Sequence, residues 1–443
     1  MLKVAVIGTG YVGTVAAVAF AAIGNQVVGI ESDPRKLDLL EKGTVPFHEP
    51  GLDDHLRDQI TAGALSFTDD MAAGVGDADV VFLCVGTPPG PDGRPDLAAL
   101  RSATGDAAAA LRGRSVVITK STVPIGWAHE MHAILASAAP ADATVDVVSN
   151  PEFLREGSAV HDFLYPDRVV LGGDSEDALD LVYRLYRPIM EQTFSGGDRS
   201  HQPALIRTDL ATAETIKYAA NGFLATKIAY INEIARICDS AGADVETVAE
   251  AVGLDHRIER KFLGAGIGYG GSCFGKDLLA LHHYGVDHGL DLQILNAVNP
   301  SNITQRLQIV EKVSNALGGL DGKRIAMLGL AYKPNTDDVR EAPSVTIVQR
   351  LLDEGATVVA FDPVVKHVPE LPGLPTAADP YDAATDADAL VLITEWREFG
   401  KLDLGTVARL MSGNLVVDGR NWLDADRVVN AGLRYIAMGR RVG

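Results

Sequence analysis

The chain has 443 residues, with 39 Lys+Arg against 59 Asp+Glu, which leaves a formal net charge of −20. That length accommodates about three domains at roughly 150 residues each, and the acidic surface argues against nucleic acid or anionic membrane as a partner. Hydrophobic residues at 47% and charged ones at 22% are those of an ordinary globular chain, and three cysteines, an odd number, argue against a disulfide framework. No apolar run approaches the ~20 residues of a membrane span, and the opening MLKVAVIG reads as a strand rather than a signal peptide, so a cytoplasmic location is expected.

From Leu2 to about Ser200, short apolar runs alternate with helical patterns: KVAVIG, VVGIES, ADVVFLCVGTP, SVVITKSTVP and VDVVSNPEF. Strands that are apolar on both faces and separated by helices predict a doubly wound parallel sheet. The first strand runs into GTGYVG, where Gly8, Gly10 and Gly13 have the GxGxxG spacing, and a helix pattern follows directly. The first glycine permits the turn, the second lets backbone approach a pyrophosphate, and the third allows close helix packing at a favourable dipole. Glu31 ends the second strand 18 positions after Gly13. A carboxylate there bonds ribose hydroxyls and repels a 2′-phosphate, which predicts NAD rather than NADP as cofactor. Asp33 is the alternative acidic partner.

From about Asp209 to Ala241 the sequence contains no proline and repeats apolar residues at three- and four-residue spacing, which predicts one long helix. Gly222 inside it costs about 1 kcal/mol relative to alanine, so a packing reason is expected. Next comes GAGIGYGGSCFGKDLLALHHYG, with five glycines before Cys273 and a helical pattern from about that residue. A thiol at a helix N-terminus with Lys276 one turn on favours the reactive thiolate, and Asp277 shares its helical face. Cys84 lies in an apolar strand and Cys238 in the long helix, where small buried residues belong. His282 and His283 stand together, but there is no CxxC pair and no HExxH, so no metal is expected. After about Gly319 the alternation resumes with KRIAMLGLAY, a helix from near Pro343, ATVVAFDP, ADALVLITEW and NLVVDGRN. Two Rossmann-like α/β sheets with a helical segment between them are therefore expected: a nucleotide-binding domain over 1–200, a helical domain over 201–300 and a second sheet domain over 301–443.

The ordered motifs GTGYVG, FHEPGL, KSTVPIG, SNPEFLREG, KYAANGFLATKIAYINEIA, GYGGSCFGKD, AYKPNTDDVREAPS, DALVLITEW and DGRN resemble the nucleotide-sugar 6-dehydrogenases of the UDP-glucose/GDP-mannose dehydrogenase family over nearly the whole chain. The resemblance implies a four-electron oxidation of a sugar C6 alcohol to a carboxylate with two NAD and no metal. It places the nucleophile on Cys273. Lys217 and Asn221 become first-step machinery, and Asp277 orients or deprotonates a water. Thr122 and Glu152 position and activate water, with Glu152 the base in thioester hydrolysis. It further implies cofactor contacts from Tyr11, Val12, Lys36, Thr87, Thr122, Glu156, Lys276 and Arg340 beside Gly8, Gly10, Gly13 and Glu31. For the sugar nucleotide it implies Glu152, Phe153, Leu154, Phe262, Leu263, Gly264, Gly266, Gly270, Tyr332, Lys333 and Arg420 beside Lys217, Asn221 and Cys273. Arg257 matches an arginine that reaches the substrate of a neighbouring subunit, which implies a homodimer with the long helices at its interface. Gly275 stands where many members carry proline, which loosens the turn beside the nucleophile. The second sheet's loop GLAYKPNT lacks GxGxxG, which fits UDP rather than another NAD. UDP-glucose is the expected substrate, with GDP-mannose or a UDP-N-acetylhexosamine as the alternative. An ordinary two-electron hydroxyacid dehydrogenase would have no need for Cys273, and a nucleotide sensor would have no need for the full set.

Overall fold

The computed structural model describes residues 1–441, and the chain divides between Ala220 and Asn221 into two compact units. The first unit holds an eight-stranded sheet: β1 (Lys3–Ile7), β2 (Gln26–Ile30), β3 (Leu65–Thr68), β4 (Val80–Leu83), β5 (Arg114–Thr119), β6 (Thr144–Ser149), β7 (Arg168–Gly172) and β8 (Ala204–Thr208), in the order β3-β2-β1-β4-β5-β6-β7-β8. Chain order reverses between β1 and β4, the switch point at which doubly wound sheets bind ligands beyond the strands' carboxyl ends. Val4 and Val6 of β1 pack into one apolar cluster with Phe20 and Phe82, and Ala5 and Ile7 pack into another with Leu100 and Val117. This explains why these strands read as unbroken apolar runs.

Three strands of this sheet were not evident in the sequence. β3 is a four-residue edge strand with alternating burial, and β8 is an edge strand with little buried surface, so neither makes an apolar run. β7 departs from the parallel pattern: it meets β6 antiparallel through the single pair Ser149 and Gly172, while β7 and β8 run parallel.

The second unit holds a wholly parallel five-stranded sheet: β9 (Arg324–Leu328), β10 (Thr357–Phe361), β11 (Ala389–Leu392), β12 (Leu415–Asp418) and β13 (Arg434–Ala437), in the order β10-β9-β11-β12-β13. The predicted helix begins at Pro343, where a missing N–H costs nothing in the first turn. The long helix is Leu210–Ala241, 32 residues, and the division between units falls inside it. A Cβ on Gly222 would lie 3.3 Å from Leu295 and 3.6 Å from Leu281, so this glycine admits leucines from two neighbouring helices. No helix among the described residues is long and apolar enough to cross a membrane.

Candidate active site

In the first unit the site-forming residues follow the carboxyl ends of adjacent strands. Gly8 follows β1 with φ +87°, a conformation that strains any side chain. A Cβ on Gly13 would lie 1.9 Å from the Gly8 carbonyl oxygen, so the helix Tyr11–Ala22 packs on the turn only through glycine. Gly10 differs, since a Cβ there would meet nothing within 4 Å. The space beside it is open, and the helix's first turn carries no acidic side chain, so its N–H groups and dipole face that space uncompensated. Glu31 is buried and accepts from the Thr9 hydroxyl at 2.8 Å and the Asp33 N–H at 2.9 Å. Asp33 itself caps the helix Pro34–Glu41 by accepting from the Arg35 N–H at 2.9 Å, and Lys36 is exposed on that helix. Glycine turn, open helix N-terminus and buried carboxylate together fit a dinucleotide.

Thr119 pairs with Ser149 at the ends of β5 and β6, so Thr122 and Glu152 each stand three residues past a paired position. The Thr122 carbonyl accepts from the Thr87 hydroxyl at 2.7 Å. Glu152 and Lys217 form a buried ion pair at 2.7 Å, and the Glu152 carboxylate also accepts from the Leu154 N–H at 2.6 Å. Burial alone would raise the Glu152 carboxyl. The Lys217 ammonium, its hydrogen bond, the Leu154 N–H and the Lys120 charge outweigh it and hold the group below its ordinary value. Lys217 Nζ also lies 5.5 Å from the Phe153 ring centroid, and the Arg168 guanidinium stacks over that ring at 3.7 Å.

In the second unit Cys273 is the N-cap of the helix Phe274–Asp287, as the sequence predicts, and its thiol is exposed while Cys84 and Cys238 are buried. Desolvation pushes the Cys84 thiol up to about 12, which makes it inert. Asp277 is buried one turn into the Cys273 helix, between Asn221 Nδ2 at 2.6 Å and Lys276 Nζ at 2.8 Å. The Lys276 ammonium therefore sits on Asp277.

The glycine run before Cys273 is held by side chains that no sequence motif had singled out. Asn302 brackets Tyr269, accepting its N–H and donating to its carbonyl, both at 2.9 Å. Gln305 donates to the Gly266 carbonyl at 2.7 Å, Arg306 donates to the carbonyls of Tyr269 and Glu341, and Asn232 accepts from the Gly266 N–H. Gly268 has φ +91°, and a Cβ on it would lie 2.4 Å from Asn302 Oδ1. Asn302, Gln305 and Arg306 are spaced three and four apart on the helix Gln293–Leu317, so they form one buried polar face. Phe262, in the loop carrying Leu263, Gly264 and Gly266, adopts φ +65°. A bulky side chain in that region stores about 1–3 kcal/mol of strain.

The arginines assigned to the sugar nucleotide and the cofactor have protein partners. Arg420 donates to the carbonyls of Ile393, Gly268 and Tyr332 at 2.7, 3.0 and 3.1 Å and pairs with Glu395 at 3.3 Å, so it ties three loops together. Arg257 pairs with Asp255 at 2.5 Å and Arg340 with Asp338 at 2.7 Å, both on the exposed surface. Tyr332 packs against Gly271, Lys333 Nζ lies 5.1 Å from the Tyr332 ring centroid, and a Cβ on Gly270 would overlap the Glu341 carbonyl at 2.6 Å.

Sequence reading also passed over Glu49 of FHEPGL. Its buried carboxylate accepts from the Gly157 N–H at 2.6 Å, the Ala159 N–H at 2.8 Å and the Tyr11 hydroxyl, so it joins the glycine loop to the Glu156 segment. The available signal was a glutamate between His48 and Pro50, which alone reads as a solvated turn. Among the described residues no group of three His, Cys, Asp or Glu side chains could hold a metal ion.

The switch point, the glycine turn and Glu31 define an NAD-dependent dehydrogenase. Residues 2–190 match the NAD binding domain of the UDP-glucose/GDP-mannose dehydrogenase family, 211–304 its central domain and 326–425 its UDP binding domain. The chain belongs to that family, and its cofactor is NAD. It is 46% identical to a UDP-glucose 6-dehydrogenase of Rhizobium meliloti (strain 1021), over 99% of this chain and 100% of the relative. Among solved structures it resembles a UDP-glucose dehydrogenase from the hyperthermophilic archaeon Pyrobaculum islandicum, with TM-score 0.89, 36% identity and coverage of 99% and 98% of the two chains. It also resembles a UDP-D-ManNAc dehydrogenase from Pyrococcus horikoshii, with TM-score 0.86, 27% identity and 99% coverage of both chains.

Proposed function

We propose that this protein oxidises the C6 alcohol of UDP-glucose to the carboxylate of UDP-glucuronate through a covalent intermediate on Cys273. The observation that carries this reading is the exposed Cys273 thiol at a helix N-terminus, one turn from an Asp277 held by Asn221 and Lys276, in a chain whose other thiols are buried. Curated relatives that span the whole chain carry the same activity in their names.

NAD, held by Gly8, Gly10, Gly13 and Glu31, supplies the hydride acceptor for each of the two oxidations. Lys217 neutralises the negative charge that develops on the C6 oxygen as the alcohol gives its proton to the water that Asp277 orients and loses its hydride. The Cys273 thiolate then adds to the aldehyde carbon, forming the C–S bond, and the oxygen takes a proton to give a thiohemiacetal. Loss of the second hydride and that proton leaves a thioester. Glu152, kept ionised beside Lys217, accepts a proton from water as it attacks, with Thr122 holding the water; the C–S bond breaks and Cys273 leaves as thiolate. Asp277, fixed by Asn221 and Lys276, orients water beside the same carbon.

The active assembly is a homodimer in this reading. Phe223, Tyr230 and Ile237 are 65%, 52% and 60% exposed and recur every seventh residue along the long helix, so they form one apolar stripe suited to a second copy.

The test is a screen of the purified protein with UDP-glucose, GDP-mannose and UDP-N-acetylhexosamines, counting NADH formed per sugar nucleotide. Two NADH per UDP-glucose with an acid product is expected, and Cys273→Ser should stop net turnover. One NADH per turnover, or full activity in Cys273→Ser, would overturn the reading. Preference for GDP-mannose or an N-acetylated sugar would move the substrate while keeping the chemistry.

A further inference from the structure

Lys120 immediately follows β5 and opens the KSTVPIG motif, and the mechanism above does not use it. Its side chain is buried, and neutral groups hold its ammonium: Nζ donates to Asn150 Oδ1 at 3.1 Å and to the Tyr186 hydroxyl at 3.2 Å, with the Phe163 and Tyr186 ring centroids 5.4 and 5.9 Å away. The Tyr186 hydroxyl in turn donates to Asn150 Oδ1 at 2.7 Å, and Asn150 Nδ2 donates to the Val170 carbonyl at 2.9 Å. Lys120 immediately follows Thr119 and Asn150 immediately follows Ser149, the paired ends of β5 and β6. Two residues beyond Lys120 stands Thr122, and two beyond Asn150 stands Glu152. The Lys120–Asn150 bond therefore sets the spacing of the two loops that are to hold and deprotonate water.

Geometry alone does not require a charge here. A methionine would fill a similar volume without the penalty of desolvating an ammonium. The charge has an electrostatic recipient, however. Glu152 faces two cations, Lys217 from the long helix and Lys120 from the end of β5, together with the Leu154 N–H of its own loop. Lys120 in turn faces Cys84 at the end of β4, Glu152, Lys217, and the Tyr186 hydroxyl from the helix Glu176–Met190. Burial pushes the Lys120 ammonium down to about 8, so it is charged below that pH and neutral above it.

We propose that Lys120 is a positioning residue for Glu152: a second buried cation that fixes the spacing of the Thr122 and Glu152 loops and keeps Glu152 ionised while Lys217 attends to the substrate oxygen. The inference rests on Glu152 as the water base. Lys217 cannot give its full charge to both a developing alkoxide and a carboxylate, whereas Lys120 touches neither substrate nor cofactor in this scheme and remains constant through the cycle.

The test is the pH profile of kcat, from pH 3.5 to 9, for the full-length protein with UDP-glucose and NAD, in wild type, Lys120→Met, Lys120→Arg and Tyr186→Phe. Removing an opposite charge raises a carboxylate, so Lys120→Met should move the acid limb up by about half a pH unit or more, a loss of about threefold at the foot of the limb. KM for both substrates should stay within about twofold, since no binding contact changes. The two profiles should converge above the pH at which Lys120 loses its own proton. Lys120→Arg should restore the limb, because it returns the charge. Tyr186→Phe keeps the ring and the ammonium, removes one bond on each side of the network, and should shift the limb the same way by less. Acid limbs that coincide in all folded variants, or a uniform loss at every pH that arginine does not rescue, would overturn the proposal. Should Lys120→Met not fold, Tyr186→Phe decides by the same criterion. A wild type that forms no NADH at any pH would instead refute the assigned activity.

Discussion

The buried pair of Lys217 and Glu152 yields a quantitative expectation when one partner is removed. At 2.7 Å and an effective dielectric near 20, the two charges attract by about 6 kcal/mol, before relaxation and water entry. Lys217→Met leaves a carboxylate that has lost its strongest support in a desolvated place, and breaking such a pair costs roughly 3–5 kcal/mol. The sign of its pH dependence follows from the direction of the shift. In wild type the folded Glu152 carboxyl lies below its unfolded value, so its contribution is present above the unfolded value and is lost as pH falls through the folded one. In Lys217→Met, burial is opposed only by the Leu154 N–H and Lys120, so the folded carboxyl rises above the unfolded one. The variant's penalty is then largest near pH 8 and shrinks toward pH 5, as Glu152 protonates in the folded state. At about 3 °C per kcal/mol, the apparent Tm deficit should be roughly 10 °C at pH 8. Melting followed by circular dichroism at pH 5, 6, 7 and 8 reads this directly. The double variant Lys217→Met with Glu152→Gln, which removes both charges, should recover most of the loss. A deficit independent of pH, or a double variant as unstable as the single one, would refute the electrostatic reasoning and make Lys217 a packing residue.

Gly10→Ala should keep its stability within about 1 kcal/mol of wild type, because nothing lies within 4 Å of the added carbon, yet weaken NAD binding at least about tenfold by filling the phosphate space; calorimetric titration checks it. Gly13→Ala should instead fail to fold or melt far lower, since its Cβ would sit 1.9 Å from the Gly8 oxygen. Gly275→Ala, in the first turn of the Cys273 helix with only Asn299 Oδ1 at 4.0 Å, should raise stability by about 0.5–1 kcal/mol, read by denaturant titration. In the native protein iodoacetamide should label one thiol, Cys273, and all three only after unfolding, as intact mass reports.

The parts of the site that were legible in the sequence are those whose chemistry is local. The glycine turn, Glu31 at a strand end, and Cys273 at the start of a helix can each be argued from a few consecutive residues, because turn, dipole and capping effects act within one helical turn. What could not be read was the support. Asn302, Gln305 and Arg306 hold the glycine run from more than 30 residues away, and on a helix pattern they look like a solvated polar face. Lys120 follows an apolar strand and reads as an exposed charge until the fold places Asn150, Tyr186 and Phe163 around it. Arg420 is a different case. A family likeness directs it to the sugar nucleotide, while its geometry adds three backbone carbonyls and Glu395, so its guanidinium also organises the loops.

The two sheets show how one fold position serves two purposes. Each places an acidic residue after its second strand, Glu31 after β2 and Asp362 after β10. A carboxylate offers about four acceptor sites. Glu31 accepts from two protein donors, Thr9 Oγ1 and the Asp33 N–H, and retains capacity for a ribose hydroxyl. Asp362, one methylene shorter, accepts from the N–H groups of Leu330, Ala331, Val364 and Val365 and from the Trp396 indole. It is saturated by its own loops, and nothing remains for a ligand. The second sheet has spent its ribose reader on fixing the turn after β9, where GLAYKPNT replaces the glycine fingerprint. A nucleotide there must be recognised by other groups, and this is the physical reason that two similar sheets do not make two NAD sites.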